Sequence, residues 1–203
     1  MPDLPATAAA APPVVSAREL DDLRAGVERH AAEQLADLER LVSLDCGSYT
    51  KAGVDEVGRW VTAFLEGLGA SVVRHRHETF GDTIVGTIEG TGSDPTGSPG
   101  DGSTGSSGGS APAAVGSRLL LIGHMDTVFD PGTAAARPFR IEDGIAYGPG
   151  VTDMKGGLLT GLYALRALRD AAATLPDGLP FERVTFVANP DEEIGRASCR
   201  ERV

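Results

Sequence analysis

The feature that most constrains the fold is a strand–helix–strand pattern between residues 118 and 190. RLLLIGHM (118–125) is a short apolar run typical of a buried strand, and RVTFVANP (183–190) is a second β run. Between them, MKGGLLTGLYALRALRDAAA (154–173) has the 3.6-residue period of a helix. This order predicts two parallel strands joined by a right-handed crossover. In such α/β sheets, functional side chains gather beyond the carboxyl ends of the strands.

Two helices are predicted upstream. Ser16 and Glu19 form an S-x-x-E capping box, and leucines at helical spacing then predict a helix over residues 17–44. A second apolar face predicts a helix over residues 54–68, with Gly69 as its stop signal. Both helices therefore have one face that must be buried against another element.

Two β runs follow the second helix. SVVRHRHET (71–79) and DTIVGTIEG (82–90) predict neighbouring strands of a hairpin. His75 and His77 are two residues apart, so on a strand both would face the same side. A metal-binding pair is one interpretation. Two solvated histidines among neighbouring arginines is the favoured one.

Two segments have the composition of disordered chain. Residues 1–15 are rich in Ala and Pro and predict a disordered arm. Residues 91–117 are rich in Gly, Ser and Pro and bury too little apolar surface to offset the entropy lost on ordering. Because β runs on both sides fit one sheet, we interpret this second segment as a flexible insertion in a loop.

Charge and cysteine content exclude several classes of protein. The formal charge of -11 argues against a nucleic-acid partner, since phosphates would be repelled. The two cysteines imply no disulfide framework. The start of the chain is a poor secretory signal, and no apolar run reaches membrane-spanning length. We therefore expect a cytoplasmic protein without a membrane partner.

Three groups of acidic or imidazole side chains fall at the predicted strand ends. His124 and Asp126 follow the first strand, and a nearby carboxylate often orients a metal-binding imidazole, although H-x-D alone is a weak signal. Asp153 precedes the helix, where an N-cap is the alternative role. Glu192 and Glu193 follow the last strand, where a solvated acidic loop is the alternative. Together these residues predict a metal site with a glutamate base.

The stretches from Leu119 to Gly157 and FVANPDEEIG resemble the dinuclear zinc peptidase superfamily. This superfamily includes glutamate carboxypeptidase, acetylornithine deacetylase, succinyl-diaminopimelate desuccinylase and aminoacylase. The resemblance covers roughly residues 38–195 apart from the insertion. It implies an α/β fold with a mixed, largely parallel central sheet flanked by helices, of which residues 16–195 form a partial catalytic domain.

The resemblance also implies a role for each candidate residue. It makes His124 a ligand of one zinc ion, Glu193 a ligand of the other and Asp153 the carboxylate that bridges them. Asp126 would orient the imidazole, and Glu192 would be the general base. The implied cofactors are two Zn²⁺, with Co²⁺ or Mn²⁺ as substitutes. The peptide bond after the bridging aspartate is expected to be cis.

The bridging sequence GPGVTD and the absence of a nearby tryptophan favour the glutamate carboxypeptidase branch. The implied reaction is hydrolysis of an amide bond next to a carboxylate, with a small peptide or N-acyl amino acid as substrate. The resemblance also implies that the full-length protein can form a homodimer. One alternative is an N-acyl amino acid deacylase of the acetylornithine deacetylase or desuccinylase type. Another is a non-catalytic homologue that serves as an interaction module.

The resemblance further implies a carboxylate ligand, a histidine ligand and a lid or dimerisation domain beyond residue 203. We therefore expect the 203-residue chain to be an inactive, poorly folded N-terminal fragment. The last residues fit nothing in the family. GRASCRERV corresponds to one reading frame of a common sequencing-library adapter, so residues 196–203 are interpreted as a non-native tail.

Overall fold

The computed structural model describes residues 16–90, 118–172 and 181–194. The predicted arm, insertion and tail lie outside these residues, so their interpretation stays a prediction. The described elements, in chain order, are α1 (Ala17–Val42), α2 (Lys51–Gly67), β1 (Ser71–His75), β2 (Thr83–Glu89), β3 (Arg118–His124), α3 (Thr133–Ala136), β4 (Arg140–Glu142), β5 (Ile145–Tyr147), α4 (Gly156–Ala171) and β6 (Arg183–Asn189).

Local sequence signals fix the first helix. The capping box is present: the backbone N–H of Glu19 donates to Ser16 Oγ at 3.3 Å, and that of Ser16 donates to Glu19 Oε2 at 2.7 Å. The helix ends at Val42 rather than at the predicted residue 44. Its first half is solvated, since Val27 is 50% exposed, whereas Leu41 is fully buried. Helical spacing therefore predicted the helix correctly but overstated its apolar face.

The second helix begins three residues before the predicted start and ends in the expected way. Gly69 follows it with φ of +78°, a left-handed conformation that glycine adopts without strain. Buried residues of α2, including Val57, Val61 and Leu65, form the face that packs on the sheet. Burying each such side chain stabilises the fold by about 1.5–3 kcal/mol.

The central sheet has the strand order β1-β2-β6-β3. The predicted hairpin of β1 and β2 is confirmed as an antiparallel pair, and β3 and β6 form the predicted parallel pair. Strands β2 and β6 are antiparallel, and β4 and β5 form a separate small hairpin. The fold class is therefore confirmed as α/β with a mixed sheet flanked by helices, although two of the three strand pairs in the described sheet are antiparallel rather than largely parallel.

Helices α2 and α4 cover one face of this sheet. A Cβ atom on Gly86 of β2 would lie 2.8 Å from a methyl carbon of Leu65, so α2 packs where the strand has no side chain. On α4, Leu158 packs in the same way against Gly123 of β3. Helix α1 lies against α4, where the Tyr163 hydroxyl donates to Asp37 at 2.6 Å. These contacts enclose one hydrophobic core.

The opposite face of the sheet is open in the described part of the chain. β3 was predicted to be a buried strand, which is wrong for this structure: Leu120 and Ile122 are 61% and 66% exposed. Val73 of β1 is 54% exposed and lies on the same face of the sheet as Ile122, to which the paired residues Val85 and Val187 connect it across the strands. Strand β3 lies at the sheet edge and none of the described helices covers this open face, which explains the exposure. None of the described helices is long and apolar enough to span a bilayer.

A buried carboxylate ties the hairpin to α2. Asp82, 4% exposed, accepts hydrogen bonds from Lys51 Nζ at 2.7 Å, Arg74 Nε at 2.6 Å and the backbone N–H of His77 at 3.1 Å. Burial raises the pKa of Asp82, but these hydrogen bonds outweigh burial and hold the pKa well below the ordinary 3.8. Asp82 is therefore a charged anchor within the fold.

Candidate metal centre

The parallel pairing of β3 and β6 brings two of the three predicted groups together. His124 is the last residue of β3 and pairs with Asn189, the last residue of β6. The backbone N–H of Met125 donates to the carbonyl of Asn189 at 2.8 Å, which continues the pairing past the strand ends. Consequently His124 and Asp126 lie beside the loop that carries Glu192 and Glu193.

Three side chains converge at this end of the sheet. Ligand atoms of His124, Asp153 and Glu193 all lie within 4.8 Å of one another, and His124 Nε2 is 3.1 Å from Asp153 Oδ1. His124 and Glu193 are 5% and 2% exposed, whereas the side chain of Asp153 is 53% exposed. The convergence therefore has two buried members and one that faces solvent.

Asp153 lies on an irregular turn, Val151–Lys155, that leads into α4. The N-cap alternative for Asp153 is wrong, since Lys155 occupies the N-cap position and no side chain caps the helix there. The expected cis peptide bond is present between Asp153 and Met154. The turn is thus the element that carries Asp153 toward the imidazole.

Asp126 is the centre of a buried hydrogen-bond network. Its carboxylate is fully buried and lies 3.3 Å from His124 Nδ1. It also accepts the backbone N–H of Glu192 at 3.2 Å on Oδ1 and that of Glu193 at 3.0 Å on Oδ2. A single aspartate therefore contacts both the imidazole and the acidic loop, which goes beyond the orienting role expected for it.

The carboxylates control the protonation of the imidazole. Burial lowers the pKa of His124, but hydrogen bonds to the Asp126 and Asp153 carboxylates outweigh burial and raise it to about 9. Burial likewise raises the pKa of Asp126, yet the bonds from His124, Ser48 and the Glu193 amide lower it overall. With Nδ1 held at Asp126, Nε2 is the nitrogen directed toward Asp153, and it would bind a metal ion once its proton is lost.

The two adjacent glutamates point to different surroundings. Glu193 is buried in the convergence, whereas the side chain of Glu192 is 40% exposed, with Oε2 3.9 Å from His124 Nε2. Neighbouring residues in a turning segment commonly point in different directions. This arrangement leaves Glu192 at the rim, where it has access to solvent.

Sequence reasoning missed two buried polar side chains around the convergence. Ser48 donates from Oγ to Asp126 Oδ2 at 2.6 Å. Lys155 is 1% exposed, and its Nζ has no hydrogen-bond partner among the described residues. The position of Lys155, two residues after Asp153, was a signal that it lies near the site. Nothing in the sequence around Ser48 indicates its contact with Asp126, which is 78 residues away.

The two histidines of the hairpin do not join the site. His75 and His77 are both exposed, and among the described residues the metal-compatible group contains neither. His77 lies beyond the end of β1 and its ring is 3.1 Å from Thr83 Oγ1. The interpretation as two solvated histidines therefore fits the structure.

A cavity of about 340 Å³ opens beside the convergence. Asp153 and Glu193 line it together with Val128, Phe129, Gly148, Gly150, Val151 and Thr152. This volume lies at the lower end of the range for small-molecule sites. The ligand atoms therefore border a space that a small substrate can enter.

The donor set fits a divalent metal ion. One imidazole nitrogen and carboxylate oxygens are ligands that zinc accepts, and the buried Asp126 supplies the expected partner for the other imidazole nitrogen. The fold and this arrangement together define a class of protein: an α/β domain with a candidate metal centre at the carboxyl ends of its strands.

Comparison with known proteins supports the predicted resemblance. Residues 120–202 match the model of Peptidase family M20/M25/M40. Carboxypeptidase G2 from Pseudomonas sp. (strain RS-16) is 33% identical over 168 residues, which cover 82% of this chain and 34% of that protein. Succinyl-diaminopimelate desuccinylase from Corynebacterium glutamicum is 38% identical over 78 residues, which cover 38% and 19% of the two chains. The predicted resemblance is confirmed: the chain is similar to part of the peptidases of family M20/M25/M40.

Solved structures agree on the fold. Human carnosine dipeptidase 1 superposes with a TM-score of 0.61 at 20% identity, covering 93% of this chain and 38% of that one. The chain therefore spans roughly a third of the length of the proteins that it resembles.

Proposed function

We propose that the protein to which this chain belongs is a dinuclear zinc carboxypeptidase of the glutamate carboxypeptidase type. The observation that carries the proposal is the convergence of His124, Asp153 and Glu193 within 4.8 Å, with Glu192 at its rim. The family match and the identity to Carboxypeptidase G2 support it.

In this proposal each residue of the centre has one role. His124 and Glu193 would each hold a zinc ion, and Asp153 would be a ligand for both. Bound zinc supplies Lewis acidity, which lowers the pKa of a water molecule and polarises the scissile carbonyl. Asp126 holds the imidazole and the acidic loop in place.

Glu192 is the proposed general base. It takes a proton from the attacking water and delivers this proton to the amine nitrogen as the carbon–nitrogen bond breaks. Its side chain is 40% exposed and is thus accessible to substrate, unlike the buried Glu193. The products are a carboxylate and a free amine, so no further reactant is needed.

The proposed substrate is a small peptide whose scissile amide bond lies next to a carboxylate. Hydrolysis of N-acyl amino acids is a second candidate, favoured by the 38% identity to succinyl-diaminopimelate desuccinylase over 78 residues. The homodimer and the cytoplasmic location remain predictions.

The test is a rate measurement on the protein that carries this chain together with the rest of its relatives' length. Peptides with a C-terminal glutamate are compared with N-succinyl and N-acetyl amino acids. Glu192→Ala should lower kcat by about 10²–10⁴-fold, whereas Glu142→Ala, at an exposed ion pair, should not. Unchanged turnover by Glu192→Ala, or full activity after metal removal, would contradict the proposal.

A further inference from the structure

Ser48 comes from a distant part of the sequence and forms a short hydrogen bond with Asp126 at the candidate metal centre. It lies in the connection between α1 and α2 and is 3% exposed. Its hydroxyl donates to Asp126 Oδ2 at 2.6 Å, a short distance typical of a hydrogen bond to a charged acceptor. Asp126 is itself fully buried, so water does not compete for this bond.

The backbone fixes Ser48 in this position. The N–H of Ser48 donates to the carbonyl of Thr127 at 3.2 Å, and the N–H of Thr127 donates to the carbonyl of Cys46 at 3.0 Å. Gly47 lies between these two bonds, and a Cβ there would be 2.3 Å from the carbonyl oxygen of Phe129. Only glycine allows this close approach, which places the Ser48 hydroxyl beside Asp126 before any ligand binds.

The bond to Ser48 fixes the rotation of the Asp126 carboxylate. Oδ2 is held by Ser48 and by the Glu193 amide, which leaves Oδ1 for the Glu192 amide and His124 Nδ1. If this carboxylate rotated, the contacts that orient the His124 imidazole and the backbone of the acidic loop would both be lost. One hydroxyl therefore influences both sides of the convergence.

We propose that Ser48 is a positioning residue for the metal centre, acting through Asp126 on His124 and on the backbone of Glu192 and Glu193. The proposal rests on the metal centre of the proposed function. A residue that only filled space would affect global stability, whereas a positioning residue affects the acidic loop and the metal affinity in particular.

The experiment compares Ser48→Ala with Ser48→Thr, which keeps the hydroxyl, in the longer protein that carries this chain together with the rest of its relatives' length. Ser43→Ala is the control, since Ser43 is exposed and its hydroxyl bonds only to the carbonyl of Glu39. Amide hydrogen exchange is measured by NMR without metal, and Zn²⁺ affinity is measured by competition with a chelating dye.

Ser48→Ala should speed exchange of the Glu192 and Glu193 amides about tenfold relative to the amides of Phe186 and Val187 within β6. It should also weaken Zn²⁺ binding by about tenfold, the lower end of the range for groups that orient metal ligands. Ser48→Thr should retain both properties. Ser48→Cys, with a similar volume and a weak donor, provides the same contrast if the alanine variant does not fold.

Equal acceleration of all these amides, or no acceleration, would overturn the assignment of Ser48. Failure of the unsubstituted longer protein to bind Zn²⁺ would contradict the proposed function instead, and the exchange measurement would still decide the role of Ser48.

Discussion

Replacing Asp126 with asparagine tests the network at the centre without any metal. The carboxylate accepts hydrogen bonds from Ser48 Oγ and from the backbone N–H groups of Glu192 and Glu193, and it contacts His124. An asparagine side chain keeps the shape but presents an NH₂ group where one oxygen was. At least one buried donor then faces another donor and loses its partner.

The expected loss of stability follows from these contacts. Leaving a buried donor unsatisfied costs about 1–3 kcal/mol, and removing one member of a buried charge pair costs about 3–5 kcal/mol. We expect Asp126→Asn to lower the free energy of unfolding by about 3–5 kcal/mol, a large share of the about 5–15 kcal/mol typical of a domain.

The assay is urea unfolding in the presence of a chelator, followed by the fluorescence of Trp60, the single tryptophan. Asp21→Asn is the matched control, because Asp21 is exposed in an ion pair with Arg24 and should change stability by less than about 0.5 kcal/mol. A loss below about 1 kcal/mol for Asp126→Asn would refute the reasoning.

Three further predictions concern the rest of the fold. Because the pKa of Asp82 is held below 3.8, its stabilising contribution is complete above about pH 4 and is lost as pH falls. In Asp82→Asn, the free energy of unfolding measured with urea should therefore change less between about pH 4 and pH 2 than it does in the unsubstituted protein. Identical pH profiles for the two proteins would contradict this. Lys155→Met should raise the free energy of unfolding by about 1–3 kcal/mol, because it removes a buried ammonium that has no hydrogen-bond partner among the described residues. A lower free energy of unfolding in the same urea assay would contradict this. Ile122→Lys on the open face should reduce concentration-dependent self-association in sedimentation velocity relative to Val27→Lys on α1, and equal effects would contradict it.

Much of the fold was predictable because its signals are local. The capping box at Ser16 and Glu19, the helical period of α2 and α4 and the glycine stop at Gly69 each involve residues close in sequence. The proximity of His124 to the acidic loop was also predictable, since adjacent parallel strands end at the same edge of a sheet.

The remainder depends on contacts between distant residues. The apolar composition of β3 predicted burial, yet exposure of Ile122 depends on its position at the sheet edge. The bond from Ser48 to Asp126 and the burial of Lys155 arise from close packing around the strand ends. The packed segments are the connection between α1 and α2, the segment after β3 and the turn before α4. No periodicity or short motif encodes such contacts.

The most direct test of the metal centre is a Zn²⁺ titration, by competition with a chelating dye, of the longer protein that carries this chain. Saturable binding is expected, and it should weaken at least about tenfold in His124→Ala, Asp153→Ala and Glu193→Ala, whereas Glu142→Ala keeps the original affinity. Binding that is absent, or that survives all three substitutions unchanged, would contradict the metal centre.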